Sequence, residues 1–409
     1  MAHILDLPKT QDWLGQFCAE DRPLAQELLA SFATVSATEF AHQMVEFIRD
    51  HLESCATPAG LYAEREVEGK PAPVPLFKQT KTKPIRAYGD GPNATIGGDV
   101  GSEGVIANII TQVLRAKKCS ALSHPGPDAI RAKGIRHFIL VTDFIGSGRQ
   151  ACRYLDAAWR VASVRSWASR KMISFTVLAY SGTEPGLRAV RSLHCRPDVK
   201  IYKSCPTISN MFSLKDSRRI KELCKKYDPF KGEQTCHGAE GPLGFGHTGA
   251  LIGFAHGAPN NCPRILTRKS RKWAPLFPNR RTEGFGPYLG SGEYHQTALI
   301  RASLDRAGVK LHSKISPETA ARGRGLVLTA IFKKSPRIKS ALSARTGLPL
   351  SVVDECLDSA VSFGWIDDKW RLTDSGRAEV RKLLSQNKRE EPTEHTSSWY
   401  TPTQLRAPR

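Results

Sequence analysis

The strongest pattern along the chain lies between His137 and Gln150. Four consecutive apolar residues, Phe138 to Val141, are followed by Thr142, a single carboxylate at Asp143, two apolar residues and the turn Gly146-Ser147-Gly148. An unbroken apolar run of this kind predicts a strand buried on both faces, the centre of a parallel sheet. A helix is predicted after the turn, with Tyr154, Leu155, Ala158, Trp159 and Ala162 as its apolar positions. Ile173–Tyr180 and Asp198–Lys203 repeat the strand pattern, with helical stretches between. Strands alternating with helices predict a doubly wound α/β sheet.

Either side of this region the pattern changes. Residues 11–53 read as helical: Trp13, Leu14 and Phe17 share a face, and Leu24, Leu28, Leu29 and Phe32 follow at helical spacing. Ser36 and Glu39 form a capping-box signature ahead of a face of Phe40, Met44, Phe47 and Ile48. These faces suit packing onto the next domain or onto another chain. Residues 57–84, rich in Pro and Lys, read as an extended connection. Gly89 to Gly104 carries six glycines, and Val105, Ile106, Ile109, Ile110 and Val113 then mark a helix. Leu251–Ala255 reads as a short strand.

Towards the carboxy terminus the grammar is different. A helix around Leu326–Phe332 precedes Ile338–Arg345, a Thr346-Gly347 turn, and a helix over Leu350–Phe363. Gly364–Ile366 and Trp370–Leu372 flank Asp367-Asp368-Lys369 as a hairpin of wing size, and Thr373–Arg377 opens a last helix. This order resembles a winged helix-turn-helix domain. The expected division is a helical segment (1–56), an α/β domain (57–290), the winged helix (291–385) and a disordered tail (386–409).

Charge adds a partner. Sixty Lys and Arg against 39 Asp and Glu give a formal +21, which favours a polyanion. The helix in the recognition position is acidic (Asp354, Glu355, Asp358), which opposes base reading in the major groove. Basic residues lie on its flanks: Lys333, Lys334, Arg337, Lys339, Arg345, Arg377, Arg381 and Lys382. That distribution predicts nucleic-acid backbone contacts. Ten scattered cysteines without a C-x-x-C pair, no signal-peptide pattern and no membrane-length apolar run lead to the expectation of a cytoplasmic protein with free thiols and no membrane contact. Cys236, His237, His247, His256 and Cys262 lack the tight pairs of a structural zinc site, so no metal centre is expected there.

The strand, turn and helix around Asp143 form the arrangement in which backbone N–H groups face a phosphate. The ordered motif resembles the phosphoribosyl pyrophosphate motif of the type I phosphoribosyltransferases. The resemblance implies that Asp143 binds ribose hydroxyls, that Gly146, Ser147, Gly148, Arg149 and Gln150 wrap a 5′-phosphate, and that Mg²⁺ arrives with the substrate. Thr142, also a candidate substrate contact, stands where the family has its first acid. Gly146 replaces a carboxylate used for proton transfer, and Gln150 a phosphate-binding Thr. Ser102 and Glu103, at the second glycine loop, are candidates for a second phosphate site, with Glu103 either catalytic or a helix cap.

His256–Asn261, with Asn260 and Asn261 as candidate ligand contacts, and Trp273–Pro278 extend the likeness over about residues 10–281. This whole stretch is similar to the phosphoribosyltransferase-like effectors encoded beside retron reverse transcriptases in bacterial antiphage systems. That resemblance implies a toxin-like effector held inactive by the reverse transcriptase and its multicopy single-stranded DNA (msDNA) or RNA. Two rival readings stay open: a phosphoribosyl pyrophosphate sensor that regulates transcription with a catalytically dead domain, and a structural nucleoprotein component. Oligomeric state is left open as well.

Overall fold

The structure is a computed structural model that describes residues 5, 7–67, 69, 71–77, 102–115, 120–231, 240–282, 325, 327, 328, 330–332 and 337–386. Its centre is a five-stranded parallel sheet. The strands are β2 (Ala59–Ala63), β3 (Ala121–Ser123), β4 (His137–Ile145), β5 (Ser174–Gly182) and β6 (Asp198–Ser204), in the order β3-β2-β4-β5-β6. The predicted apolar strand is therefore the central one. It pairs with β2 from Ala59↔His137 to Ala63↔Val141, and with β5 from His137↔Ser174 to Ile145↔Gly182.

Successive side chains of a strand point to opposite faces, and here each face feeds a separate core. Phe138 and Leu140 of β4 join Val177 and Ala179 of β5 under the helix Arg149–Trp159. Ile139 and Val141 join Leu178 and Tyr180 on the other face, against the helix Ser102–Arg115 and the amino-terminal helices. The strand runs through Asp143 to Ile145, four residues further than the apolar run suggested.

Strand β2 lies in the stretch expected to be an extended connection. Ala-Gly-Leu-Tyr-Ala has weak strand propensity, yet all five residues are buried. Tyr62 stacks on Phe138 at 3.9 Å between ring centroids, which fixes β2 against β4. A second departure is β1 (Ala33–Val35), inside the region read as all-helical. After a short hairpin of β7 (Glu240–Gly241) and β8 (Gly244–Phe245), β9 (Ile252–Phe254) pairs in parallel with β1.

The amino-terminal faces pack onto the α/β domain. Trp13 Nε1 donates to Ile265 O at 3.0 Å, and Trp13, Phe17, Tyr227 and Trp273 form one aromatic cluster. Ser36 Oγ accepts from Glu39 N at 3.0 Å, the first half of the capping box. The Glu39 carboxylate reaches Lys203 Nζ at 3.2 Å in a buried ion pair beside Tyr180.

The carboxy-terminal helices Lys339–Thr346 and Leu350–Ser362 meet at Gly347, whose positive φ of 73° closes the first helix. The wing narrows to a single bridge, Ile366↔Leu372, whose turn is held by Asp367 Oδ1 accepting from Lys369 N and Arg371 N. This unit covers the outer edge of the sheet: Ser204 N of β6 donates to Ser343 Oγ at 3.1 Å, and Arg345 Nε donates to Asn210 O at 3.2 Å. The cover removes an exposed strand edge. Among the described residues no helix is long and apolar enough to cross a membrane.

Trp13 joins the amino-terminal layer to Ile265. Trp13→Ala is expected to cost about 3–5 kcal/mol in urea unfolding, whereas a purely peripheral layer would show a loss below about 0.5 kcal/mol.

Candidate functional site

The site forms where β4 leaves the two cores. Asp143 emerges near its end, and the turn that follows packs too closely on its surroundings to carry a side chain at Gly146 or to allow one at Gly186 of the neighbouring helix Glu184–Arg191. A Cβ on Gly146 would lie 1.9 Å from Asn261 Oδ1, and one on Gly186 would lie 2.1 Å from Gly146 O. Thr183 Oγ1 donates to Gly146 O at 2.5 Å, pinning the turn to the loop after β5. Gly148 has φ of 75° and opens the helix Arg149–Trp159, so the first N–H groups of that helix face the same opening as Asp143.

These elements surround a cavity of about 930 Å³. Of the residues picked out in the sequence, Ser102, Asp143, Gly146, Ser147, Gly148, Arg149, Gln150, Asn260 and Asn261 line it. Asn261 is itself buried, and its Nδ2 donates to Phe245 O at 2.8 Å, so it braces the turn. Thr142 is buried below the wall. Glu103 is absent from the wall: its Oε1 accepts from Glu66 N at 3.0 Å, which ties the segment after β2 to the start of the helix Ser102–Arg115. Most of the second glycine loop lies outside the described residues.

Residues 10–279 match the family model PRTase-CE. The chain belongs to the PRTase-CE family. Residues 326–407 match a second model, described as wHTH-PRTase associated, so the carboxy-terminal unit is of the winged-helix kind that accompanies such domains. Comparison with curated proteins and with solved structures gives no match.

The PRTase-CE cavity also contains groups that the sequence reading did not assign. His256 Nε2 donates to Asp143 Oδ2 at 2.8 Å. The imidazole is fixed by stacking on Phe254 (5.1 Å between centroids, 14° between planes) and by the edge of Phe40 at 5.3 Å. Glu64, just past β2, is 8 % exposed and is bonded to the Thr142 hydroxyl. Burial pushes its carboxyl up to about 8 and outweighs the Thr142 hydrogen bond, with Asp143 and Glu103 adding in the same direction. Arg153 donates to Val67 O at 3.1 Å and to Gly69 O, closing one side of the opening, while Arg280 stands on another. His256 was visible as part of the His-Gly-Ala-Pro stretch; Glu64 follows a strand that the sequence hid.

The basic residues of the winged helix divide. Arg337 and Arg381 are exposed, Lys339 pairs with Asp354 at 2.6 Å, and Arg377 pairs with Asp374 at 2.7 Å. Arg345, expected on the basic flank, instead turns inward onto Asn210 O, because its helix packs on β6. Lys333, Lys334 and the side chain of Lys382 lie outside the described residues, as do Cys236 and His237. Among the described residues no group of three His, Cys, Asp or Glu could hold a metal ion, and Cys262 bonds to Ile252 O.

A carboxyl raised in the folded state binds its proton more tightly there than in the unfolded chain. Below about pH 4.5 both states hold the proton and nothing is lost; as pH rises toward 8 the unfolded state releases it first and the fold is penalised. Glu64→Gln should therefore match wild type in acid and be more stable above pH 8, by on the order of a few kcal/mol in chemical denaturation. Equal stability of the two proteins across that range would mean that Glu64 carries no raised carboxyl.

Proposed function

We propose that the PRTase-CE domain binds a phosphorylated ribose ligand and that the chain is the effector of a retron-type antiphage system. The observation that carries the first part is the convergence, around one cavity, of Asp143, the tight turn Gly146–Gly148 and the opening of the helix Arg149–Trp159. Backbone N–H groups at such a helix start hold a 5′-phosphate. Arg149 and Arg280 add positive charge, and Asp143 accepts from ribose hydroxyls. If the domain is an enzyme, its reaction is substitution at the anomeric carbon with departure of pyrophosphate or a base. Magnesium fits as an ion carried by the ligand's phosphates, because hard Mg²⁺ takes few protein ligands at such sites. When bound, it would neutralise charge on the leaving phosphates.

The second part rests on the pairing of this domain with a winged helix, on the net charge of +21, and on the likeness of the motifs to retron-encoded effectors. In this reading the winged helix docks msDNA or its RNA partner through the phosphate backbone. The reverse transcriptase and msDNA hold the effector inactive until infection disturbs them, and freed effector is toxic to the cytoplasm that contains it.

Two measurements test the reading. A hundredfold excess of ribose 5-phosphate or phosphoribosyl pyrophosphate over its Kd should stabilise the protein by about 2.7 kcal/mol. Asp143→Asn and Ser147→Asp should each abolish that gain without loss of the fold; retention of the gain in both would remove this cavity from the site. Binding to structured DNA or RNA–DNA hybrid should weaken by orders of magnitude between about 50 and 200 mM salt, with little sequence preference. Tight selection of one duplex sequence would instead favour the transcriptional regulator.

A further inference from the structure

Four side chains form one hydrogen-bonded chain across the floor of the cavity. His256 Nε2 lies 2.8 Å from Asp143 Oδ2, Thr142 Oγ1 lies 3.3 Å from Asp143 Oδ1, and the same hydroxyl is bonded to Glu64 Oε2. The hydroxyl has one proton and a carboxyl group on each side. With both carboxyl groups ionised, one of its two contacts would set lone pair against lone pair. A proton on Glu64 completes the chain: Glu64 donates to Thr142, Thr142 donates to Asp143 Oδ1, and His256 donates to Asp143 Oδ2.

The surroundings favour that protonation state. Glu64 is enclosed, and the groups that face it are Asp143 and Thr142 from β4, Tyr154 and Cys152 from the helix Arg149–Trp159, Glu103 from the helix Ser102–Arg115, and its neighbour Arg65. Two of these carry negative charge. Thr142, which stands where the resemblance would place an acid, thus has an acid delivered to it from the neighbouring strand, but as a neutral group.

We propose that Glu64 is a proton switch for anion binding in this cavity: the site takes up a phosphorylated ligand with Glu64 neutral and releases it when Glu64 ionises. The proposal rests on the reading of the ligand as a ribose phosphate. An ionised Glu64 puts a second negative charge beside Asp143 in a poorly solvated place, where repulsion of a phosphate is strong. Binding in alkaline solution then takes one proton from solvent: the Glu64 carboxylate, a proton and the ligand give the complex with neutral Glu64. Glu64 acts through Thr142 and Asp143 and is a positioning residue.

Calorimetric titration of the full chain with ribose 5-phosphate tests this, from about pH 7 to about pH 9.5. A phosphate monoester, whose second ionisation lies near about 6, is already a dianion throughout. Wild-type affinity should fall by about tenfold per pH unit once Glu64 titrates, with proton uptake approaching one per ligand, read from two buffers of different ionisation enthalpy. Glu64→Gln should bind with a flat profile and no proton uptake. A flat wild-type profile, or a wild-type slope retained in Glu64→Gln, overturns the switch and leaves the ligand reading intact. If ribose 5-phosphate binds at no pH, the ligand reading fails instead. The same titration with sulfate, whose charge is fixed over this range, then decides the switch alone: pH-dependent binding lost in Glu64→Gln supports it, and flat or absent binding overturns it.

Discussion

Burial of β4 on both faces is the constraint on which the rest of the molecule depends. Phe138 and Leu140 are committed to one core, Ile139 and Val141 to the other. A strand closed in this way can present chemistry only at its carboxy-terminal end, where ligands of open α/β sheets bind. Thr142 and Asp143 are the first polar residues there, and the turn after them is held by contacts too close for a side chain at Gly146, which would meet the Asn261 amide, or at Gly186, which would meet Gly146 O. Position and rigidity of the site thus come from packing, before any ligand is considered.

The amino-terminal layer belongs to the same construction. Its strand β1 pairs with β9, which leads directly into His256, and Phe40 of the helix Ala37–Glu53 packs its edge on the imidazole. The same helix sends Glu39 to Lys203 on β6, the edge strand on which the winged helix sits. One helix therefore touches the residue that orients Asp143 and the strand that carries the carboxy-terminal unit. Contacts of the winged helix with β6 also explain why part of its basic character is spent internally, as at Arg345.

The strands that could be read from sequence were those with long apolar runs, because double burial leaves a run without polar interruption. Ala59–Ala63 escaped since its burial depends on Tyr62 stacking on Phe138 and on neighbours far away in the chain, which periodicity does not report. Asp143 and the Gly146–Gln150 turn were legible because their order along the chain is itself the motif. Glu64 was not, since the pairing of β2 with β4 brings it to Thr142, and the role of His256 was not, since its contact with Asp143 depends on where β9 lies beside β1. Glu103 illustrates the reverse: a carboxylate at a helix start next to a glycine loop, which the fold uses to hold Glu66 N. Arg345 reads as a surface cation until the docking of its helix is known.

The most direct test of the central claim is a crystal structure of the full chain with ribose 5-phosphate. The account predicts the phosphate on the backbone N–H groups of Ser147 to Gln150, with the ribose hydroxyls on Asp143 and the His256–Asp143 contact kept. A ligand seated elsewhere on the chain, with the cavity at the end of β4 left to solvent, would contradict it.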